Sequence, residues 1–409
     1  MPEKKPGKKG SAVFSILRIL ETKAAIPLRV FYKIFAVEAL IGIVAWCALA
    51  DGLKDLSGTP IGADFINVYA AGVLVLQGSP GAAYDWALHH QVEQTVAGYA
   101  SPYFAWHYPP MFLAVAGLVA CVPYLGALAL YTMAGLAGYW AIIRKMAAKT
   151  KDALWMMAVF PGVFANATNG QNGFITTALF GAGFLELEKR PLLAGAAFGL
   201  LAYKPQFFIV IPLMLAIGGY GRAFFSTIAT AALSATLSWA VFGTETWRAF
   251  FESTKLTQHI VLEQGSTGWE KIQSVFSMVR IWGGGVAAAY AFQIAVMIAA
   301  LACAAWIWRH KASIETRASA LCAAILLTTP YLLDYDLVIL AVPIALLTRQ
   351  GGETGYKRFE KPLLAALWIL PLVARASGSH YLPFTPPLLV ALMGLCLVRT
   401  LPRKTAAVA

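Results

Sequence analysis

Charge is scarce along most of this chain, and the uncharged stretches recur. Apolar runs lie at about 34–50, 109–122, 123–143, 153–168, 173–187, 191–203, 205–219, 223–243, 285–308, 318–333, 337–348, 362–374 and 386–398. Runs near 20 residues read as membrane-spanning helices, whereas runs of 10–14 are more often re-entrant or interfacial. The run at 109–122 is of the second kind. It opens with Tyr108-Pro109-Pro110, is short, and meets Pro123. Leaving it out predicts twelve spans.

The placement of basic residues supports that count, because cytoplasmic loops carry the Lys and Arg excess. With 109–122 not crossing, the basic clusters before residue 34, at 144–151, at 309–317, at 349–361 and after 398 all fall on one side. Only Lys54, Lys204, Arg248, Lys255, Lys271, Arg280 and Arg375 fall on the other. Both ends are then expected inside, with two long outer loops at about 51–122 and 244–284. Three regions result: a basic cytoplasmic tail (1–33), a polytopic membrane domain (34–400) and a short cytoplasmic tail (401–409). Ala48-Leu49-Ala50 looks like a signal-peptidase site, but the long basic stretch before it favours an uncleaved anchor.

Composition agrees. Hydrophobic residues make up 59% of the 409 positions and charged residues 13%, about half the usual charged share of a soluble domain. The net charge of +12 orients the chain in a membrane, so no nucleic-acid partner is needed to explain it. The five cysteines sit in apolar runs without paired spacing and read as buried filler. No zinc spacing, P-loop or G-x-G-x-x-G is present, so neither a metal nor a cofactor is expected.

The polar residues left on the outer side are the candidates for chemistry: Asp64, His107, Asn169, Gln171, Asn172, Lys204, Arg280, Asp334, Asp336 and His380. Ionisable groups at membrane depth are costly and default to functional hypotheses. Asp64 precedes Phe65, Tyr69, Gly72, Val73 and Leu76, helical spacing for one apolar face along the membrane surface. It is either an N-cap or a proton-accepting carboxylate. Asn169-Gly170-Gln171-Asn172 is a tight turn or a set of amides facing a sugar. Lys204 and Arg280 are cations at helix ends that either snorkel or hold a phosphate. Asp334 and Asp336 cap a helix or line a site. Gly195-x-x-x-Gly199 allows two helices to pack closely.

Taken in order, these blocks resemble glycosyltransferase family 87. Ala63-Asp64-Phe65-x-x-x-Tyr69-x-Ala71, Gly78 and Tyr84-Asp85 are similar to its first outer loop. Tyr108-Pro109-Pro110, Asn169-Gly170-Gln171-Asn172, Arg190-Pro191-Leu192-x-Ala194-Gly195 and Lys204-Pro205 resemble its middle. Gln273-Ser274-Val275-Phe276, Thr329-Pro330-Tyr331 and Tyr335-Asp336 fit its C-terminal half. The resemblance runs from about 60 to 345.

It implies an all-α integral membrane fold of the GT-C class, a bundle of about twelve helices whose long outer loops carry juxtamembrane helices. It also implies an inverting transferase that moves a hexose, expected to be mannose, from a polyprenyl-phosphate sugar to a lipid-linked or cell-envelope glycan. The site would face outward from a bacterial inner membrane. Asp64 would be the general base, and Lys204 and Arg280 would bind the donor phosphate. Tyr69, Asn169, Gln171, Asn172, Asp336 and His380 would contact sugar or acceptor. Some relatives also use a His on a later outer loop; around Thr329–Asp336 this sequence has none, and His380 is a loose substitute. The rival readings are a secondary transporter, whose usual internal repeats are not found, and a non-catalytic polysaccharide-assembly protein.

Overall fold

A computed structural model describes residues 28–147, 151–310 and 312–401. The expected basic tail lies almost wholly outside the described residues, as does nearly all of the C-terminal tail. Every named element among the described residues is helical, and β pairing is confined to isolated bridges such as that of Ile272 with Leu333.

The helices follow the apolar runs. They are α1 (Leu28–Ala48), α2 (Phe65–Leu76), α3 (Trp86–Ala97), α4 (Leu113–Ala120), α5 (Tyr124–Met146), α6 (Lys151–Ala158), α7 (Pro161–Thr168), α8 (Gly173–Glu186), α9 (Pro191–Leu200), α10 (Pro205–Phe208) and α11 (Val210–Ile217). Then come α12 (Gly221–Thr257), α13 (Val275–Ile281), α14 (Val286–Arg309), α15 (Ile314–Thr328), α16 (Ala341–Thr354), α17 (Glu360–Ser379) and α18 (Thr385–Thr400). Among the described residues, four helices are long and apolar enough to cross a membrane, beginning at Tyr124, Gly221, Val286 and Glu360. The others are shorter or broken. The expected span at 153–168 is two short helices that meet at Phe160-Pro161, and 205–219 is α10 followed by α11.

The chain is built as a membrane protein, with apolar side chains both inside and outside. Residues 316–328 of α15 are all buried, as a helix surrounded by other helices must be. The outer surface carries Ile34, Leu40 and Ile41 of α1, Phe225, Leu233 and Val241 of α12, and Phe292 and Ile298 of α14. This exterior also revises the cysteine reading. Only Cys322 and Cys396 are buried, while Cys47 and Cys121 lie on the exposed surface. An apolar run in a membrane bundle has a lipid-facing side as well as a core side.

The close packing expected of Gly195 and Gly199 is present. A Cβ on Gly195 would stand 2.4 Å from the Ala223 carbonyl oxygen, and one on Gly199 would stand 2.7 Å from that of Thr227. Helix α9 therefore lies directly against the backbone of α12. Helix α12 bends at Gly243 (φ 80°), where the expected span ends, and continues as helix to Thr257.

Helix α2 departs from expectation. It does not lie on a surface with one face covered. Phe65, Ile66, Val68, Ala70, Ala71 and Leu74 are all buried, whereas Leu76 of the expected apolar face is exposed. The cause is α4, the run too short to cross, which packs alongside α2 and covers the sides that would otherwise meet lipid or water.

Ion pairs sit at both ends of the bundle. Arg317 with Glu188, Arg349 with Glu315 and Arg399 with Glu360 mark one end. Helix α15 runs from there to the other end, about 22 Å away at 1.5 Å per residue.

Candidate active site

Four irregular stretches converge at that second end. The first is the turn before α2, where Gly62 (φ 81°) and Ala63 (φ 29°) have left-handed backbone. This costs a residue with a Cβ roughly 1–2 kcal/mol, strain of the kind that gathers at functional sites. The turn places Asp64 at the start of α2 with 4% of its surface exposed. Its carboxylate makes no capping bond to the helix, so Asp64 is not a side-chain N-cap. Oδ2 instead accepts from Gln171 Nε2 at 2.9 Å, and Oδ1 accepts from Lys271 Nζ at 3.3 Å.

Gln171 arrives from the break between α7 and α8. Gly170 there has φ 59°, and a Cβ on it would stand 2.5 Å from the Phe65 Cβ. Only glycine lets this turn lie against α2. Gln171 Oε1 accepts from Tyr108 Oη at 3.1 Å, and the Tyr108 carbonyl accepts from Tyr84 Oη at 2.9 Å. Asp64 is thus held by a chain of donors reaching into the first long loop.

Lys204 comes from the break before Pro205, and Asp336 from a 3₁₀ turn spanning Asp334–Leu340. Lys204 is 2% exposed and Asp336 4% exposed. Lys204 Nζ donates to Asp336 Oδ1 at 2.5 Å, and Asp336 Oδ2 accepts from the Leu333 N–H at 3.3 Å. Buried ion pairs are poor sources of stability, because lost hydration offsets their attraction. One buried pair and one partly buried pair at the same end of a membrane bundle point to function.

Two cavities open here. One, of about 440 Å³, is lined by Asp64, Lys271 and Arg375 together with Trp86, Tyr103 and Thr267. The other, of about 310 Å³, is lined by Gln171, Lys204 and Asp336 with Gln206, Phe250 and Thr257. Both volumes fall within the usual small-molecule range. Asn67, His107, Tyr331 and Tyr335 line both. Burial pushes the His107 imidazole down to about 4 against the opposing charge of Asp64, so the ring is neutral at pH 7. Burial also lifts the Asp334 carboxyl to about 6, against the pull of Lys271 and Arg375.

Of the residues expected to form the site, the structure brings Asp64, Gln171, Lys204 and Asp336 together. The others lie outside both cavities. Tyr69 Oη donates to the Val122 carbonyl, and Asn169 Nδ2 to that of Ala165. Asn172 is fully buried, with no partner for its amide among the described residues. Arg280 donates to the carbonyls of Gly284 and Glu263 and stacks over Trp269 at 4.4 Å. His380 is exposed, its Nδ1 on the Ala376 carbonyl. Lys271, Arg375 and Asn67 are at the site without having been singled out for it, and His107, a candidate given no role, joins them. Lys271 and Arg375 were visible as two of the seven basic residues on the outer side. Asn67 was visible as the residue one helical turn beyond Asp64.

A helical membrane bundle with a buried, ion-paired carboxylate in a polar cavity at one end has the layout of an integral-membrane enzyme. The chain belongs to glycosyltransferase family 87, whose family model matches residues 106–330, and it is accordingly a membrane glycosyltransferase. The match takes in Gln171, Lys204 and Lys271, while Asp64, Asp336 and Arg375 lie beyond its ends. No curated protein and no solved structure matches the chain. Family membership sets aside the transporter and assembly-protein readings.

Proposed function

We propose that the protein transfers a hexose, mannose in the first instance, from a polyprenyl-phosphate sugar to a lipid-linked or cell-envelope glycan. The reaction takes place on the outer face of a bacterial inner membrane, in a chain with twelve spans and both termini inside. The observation that carries this reading is the buried Asp64 carboxylate in the larger cavity, with a buried cation, Lys204, in the adjoining one.

The acceptor occupies the larger cavity, and its hydroxyl oxygen attacks the anomeric carbon. The bond from that carbon to the phosphate oxygen breaks, and its electron pair leaves with the polyprenyl phosphate. The hydroxyl proton passes to Asp64, which Gln171 and Lys271 hold in place. Lys204 meets the charge that develops on the leaving phosphate. Attack and departure on opposite sides of the anomeric carbon invert its configuration. This arrangement also accounts for the separation of the two cations. Lys271 beside the base orients it, and Lys204 beyond the shared wall faces the leaving group.

The test is transfer by purified protein in nanodiscs, given polyprenyl-phosphate mannose, glucose or galactose and an extract of envelope glycolipids. Consumption of one donor with inversion at the anomeric carbon is expected. No consumption of any of the three by stable protein overturns the reading.

A further inference from the structure

The wall between the two cavities holds two polar side chains with unused hydrogen-bonding capacity. Asn67 lies three residues after Asp64 on α2, so the two share a helix face. It is 5% exposed, and its amide Oδ1 is buried without a partner among the described residues. Buried polar atoms are nearly always bonded, so an orphan on a residue that lines both cavities calls for an explanation. Helix geometry does not supply one. The Asn67 backbone carbonyl is already bonded by His89 Nε2 at 3.0 Å, and the side chain is not part of that contact.

His107 comes to the same wall from the first long loop. Its Nδ1 is paired with Thr257 Oγ1 at 3.0 Å, and its ring meets Tyr331 edge-on with centroids 5.5 Å apart. These contacts fix the ring and leave Nε2 without a hydrogen-bond partner among the described residues. In the tautomer whose Nδ1 accepts from the Thr257 hydroxyl, Nε2 carries the proton and is a donor.

We propose that Asn67 and His107 form the subsite for the hydroxyls of the transferred sugar. Asn67 Oδ1 accepts from one ring hydroxyl and His107 Nε2 donates to its neighbour. The ligand class is a pyranose with an adjacent pair of free hydroxyls, set against the rings of Tyr331 and Tyr335. The inference rests on the transfer reading above. There the sugar must stand between the attacking oxygen near Asp64 and the leaving phosphate near Lys204, and this wall is where the two cavities meet.

The experiment compares binding of two lipids to nanodisc-embedded protein. One is sugar-free polyprenyl phosphate, and the other is the tightest-binding of its mannose, glucose and galactose esters. Wild type is expected to prefer the sugar-bearing lipid. Asn67→Leu, nearly equal in size, should lose roughly 5- to 100-fold in affinity for that lipid, the cost of stranding a buried polar partner. Its affinity for polyprenyl phosphate should stay within twofold. His107→Ala should behave alike, with partial rescue in His107→Gln. A structural defect would weaken both lipids together. Equal loss of both, or no loss of either, in folded Asn67→Leu overturns the subsite, as does a wild type that binds the two lipids equally. A wild type that binds neither lipid overturns the donor reading itself. Should His107→Ala not fold, Asn67→Leu decides alone.

Discussion

Replacing Asp64 by Asn separates the two jobs its carboxylate can do. In the structure it neutralises Lys271 at 3.3 Å, with the two side chains 6% and 17% exposed. Unit charges at that distance attract by about 5 kcal/mol at an effective dielectric near 20. That is an upper bound, since lost hydration offsets much of it. The cost of breaking the pair therefore falls between the ~1 kcal/mol of an exposed pair and the ~3–5 kcal/mol of a fully buried one. Asn keeps an oxygen for Gln171 and occupies the same space. If Asp64 is the base, transfer falls by a further factor of roughly 10²–10⁴, the usual worth of a positioned proton acceptor. The decisive companion is Asp64→Asn with Lys271→Met, which removes the stranded cation. Thermal unfolding and transfer are measured on wild type, both single variants and the double variant. Asp64→Asn should be less stable and nearly inactive, and the double variant should regain stability without regaining transfer. Near-normal transfer by Asp64→Asn refutes the base assignment. So does recovery of transfer in the double variant, because Asp64 would then serve only to balance Lys271.

Three further outcomes follow from named contacts. Lys204→Met strands the Asp336 carboxylate and should cost about 3–5 kcal/mol; adding Asp336→Leu should restore stability while donor KM stays at least tenfold raised, and a normal donor KM in that double variant removes Lys204 from the phosphate. Arg280→Gln should lower the melting temperature by loosening the Trp269 stack and two carbonyl bonds, yet leave donor KM within twofold; a tenfold rise would return Arg280 to the donor site. Glu93 is fully buried, 3.6 Å from His89, and burial lifts its carboxyl from 4.5 to about 9. Between those two values the unfolded chain has released a proton that the folded chain keeps, so stability falls as pH rises through that window. Melting temperature should decline from pH 5 to pH 8 more steeply in wild type than in Glu93→Gln, and equal slopes would contradict a neutral buried carboxyl.

Helices were legible along this chain because their boundaries are chemical. Expected runs at 173–187 and 285–308 became Gly173–Glu186 and Val286–Arg309, each bounded by glycine or charge. Burial of α2 was also written locally. Phe65–Leu76 is apolar on every side apart from Asn67, and such a helix is surrounded rather than laid on a surface. Reading one stripe of it as the buried face missed that. Convergence was not legible in the same way. Lys271 lies 207 positions from Asp64, and Lys204 lies 132 from Asp336. Nothing in the local pattern distinguishes Lys271, which enters a carboxylate's reach, from Arg280, which is taken up by Trp269. Both are outer basic residues in the same loop, and only packing between distant segments separates them.

The breaks in the helices connect these observations. Asp64 follows a left-handed turn, Gln171 sits between α7 and α8, Lys204 precedes Pro205, and Asp336 lies in a 3₁₀ turn. Each belongs to a place where the regular i→i−4 bonding stops. A chain in a membrane tolerates such places only where protein or a wet cavity satisfies the freed backbone groups. Bringing four breaks to one end meets that demand once. The same breaks aim side chains along directions that a continuous helix, with its side chains projecting sideways, does not offer. The Leu333 N–H on Asp336 shows the coupling directly, since the carboxylate that balances Lys204 also satisfies a backbone donor released by the turn. Interrupting the spans therefore creates the polar cavity and supplies its functional groups in one step. The short helices α7 and α10, whose ends flank Gln171 and Lys204, are consequently part of the site's construction.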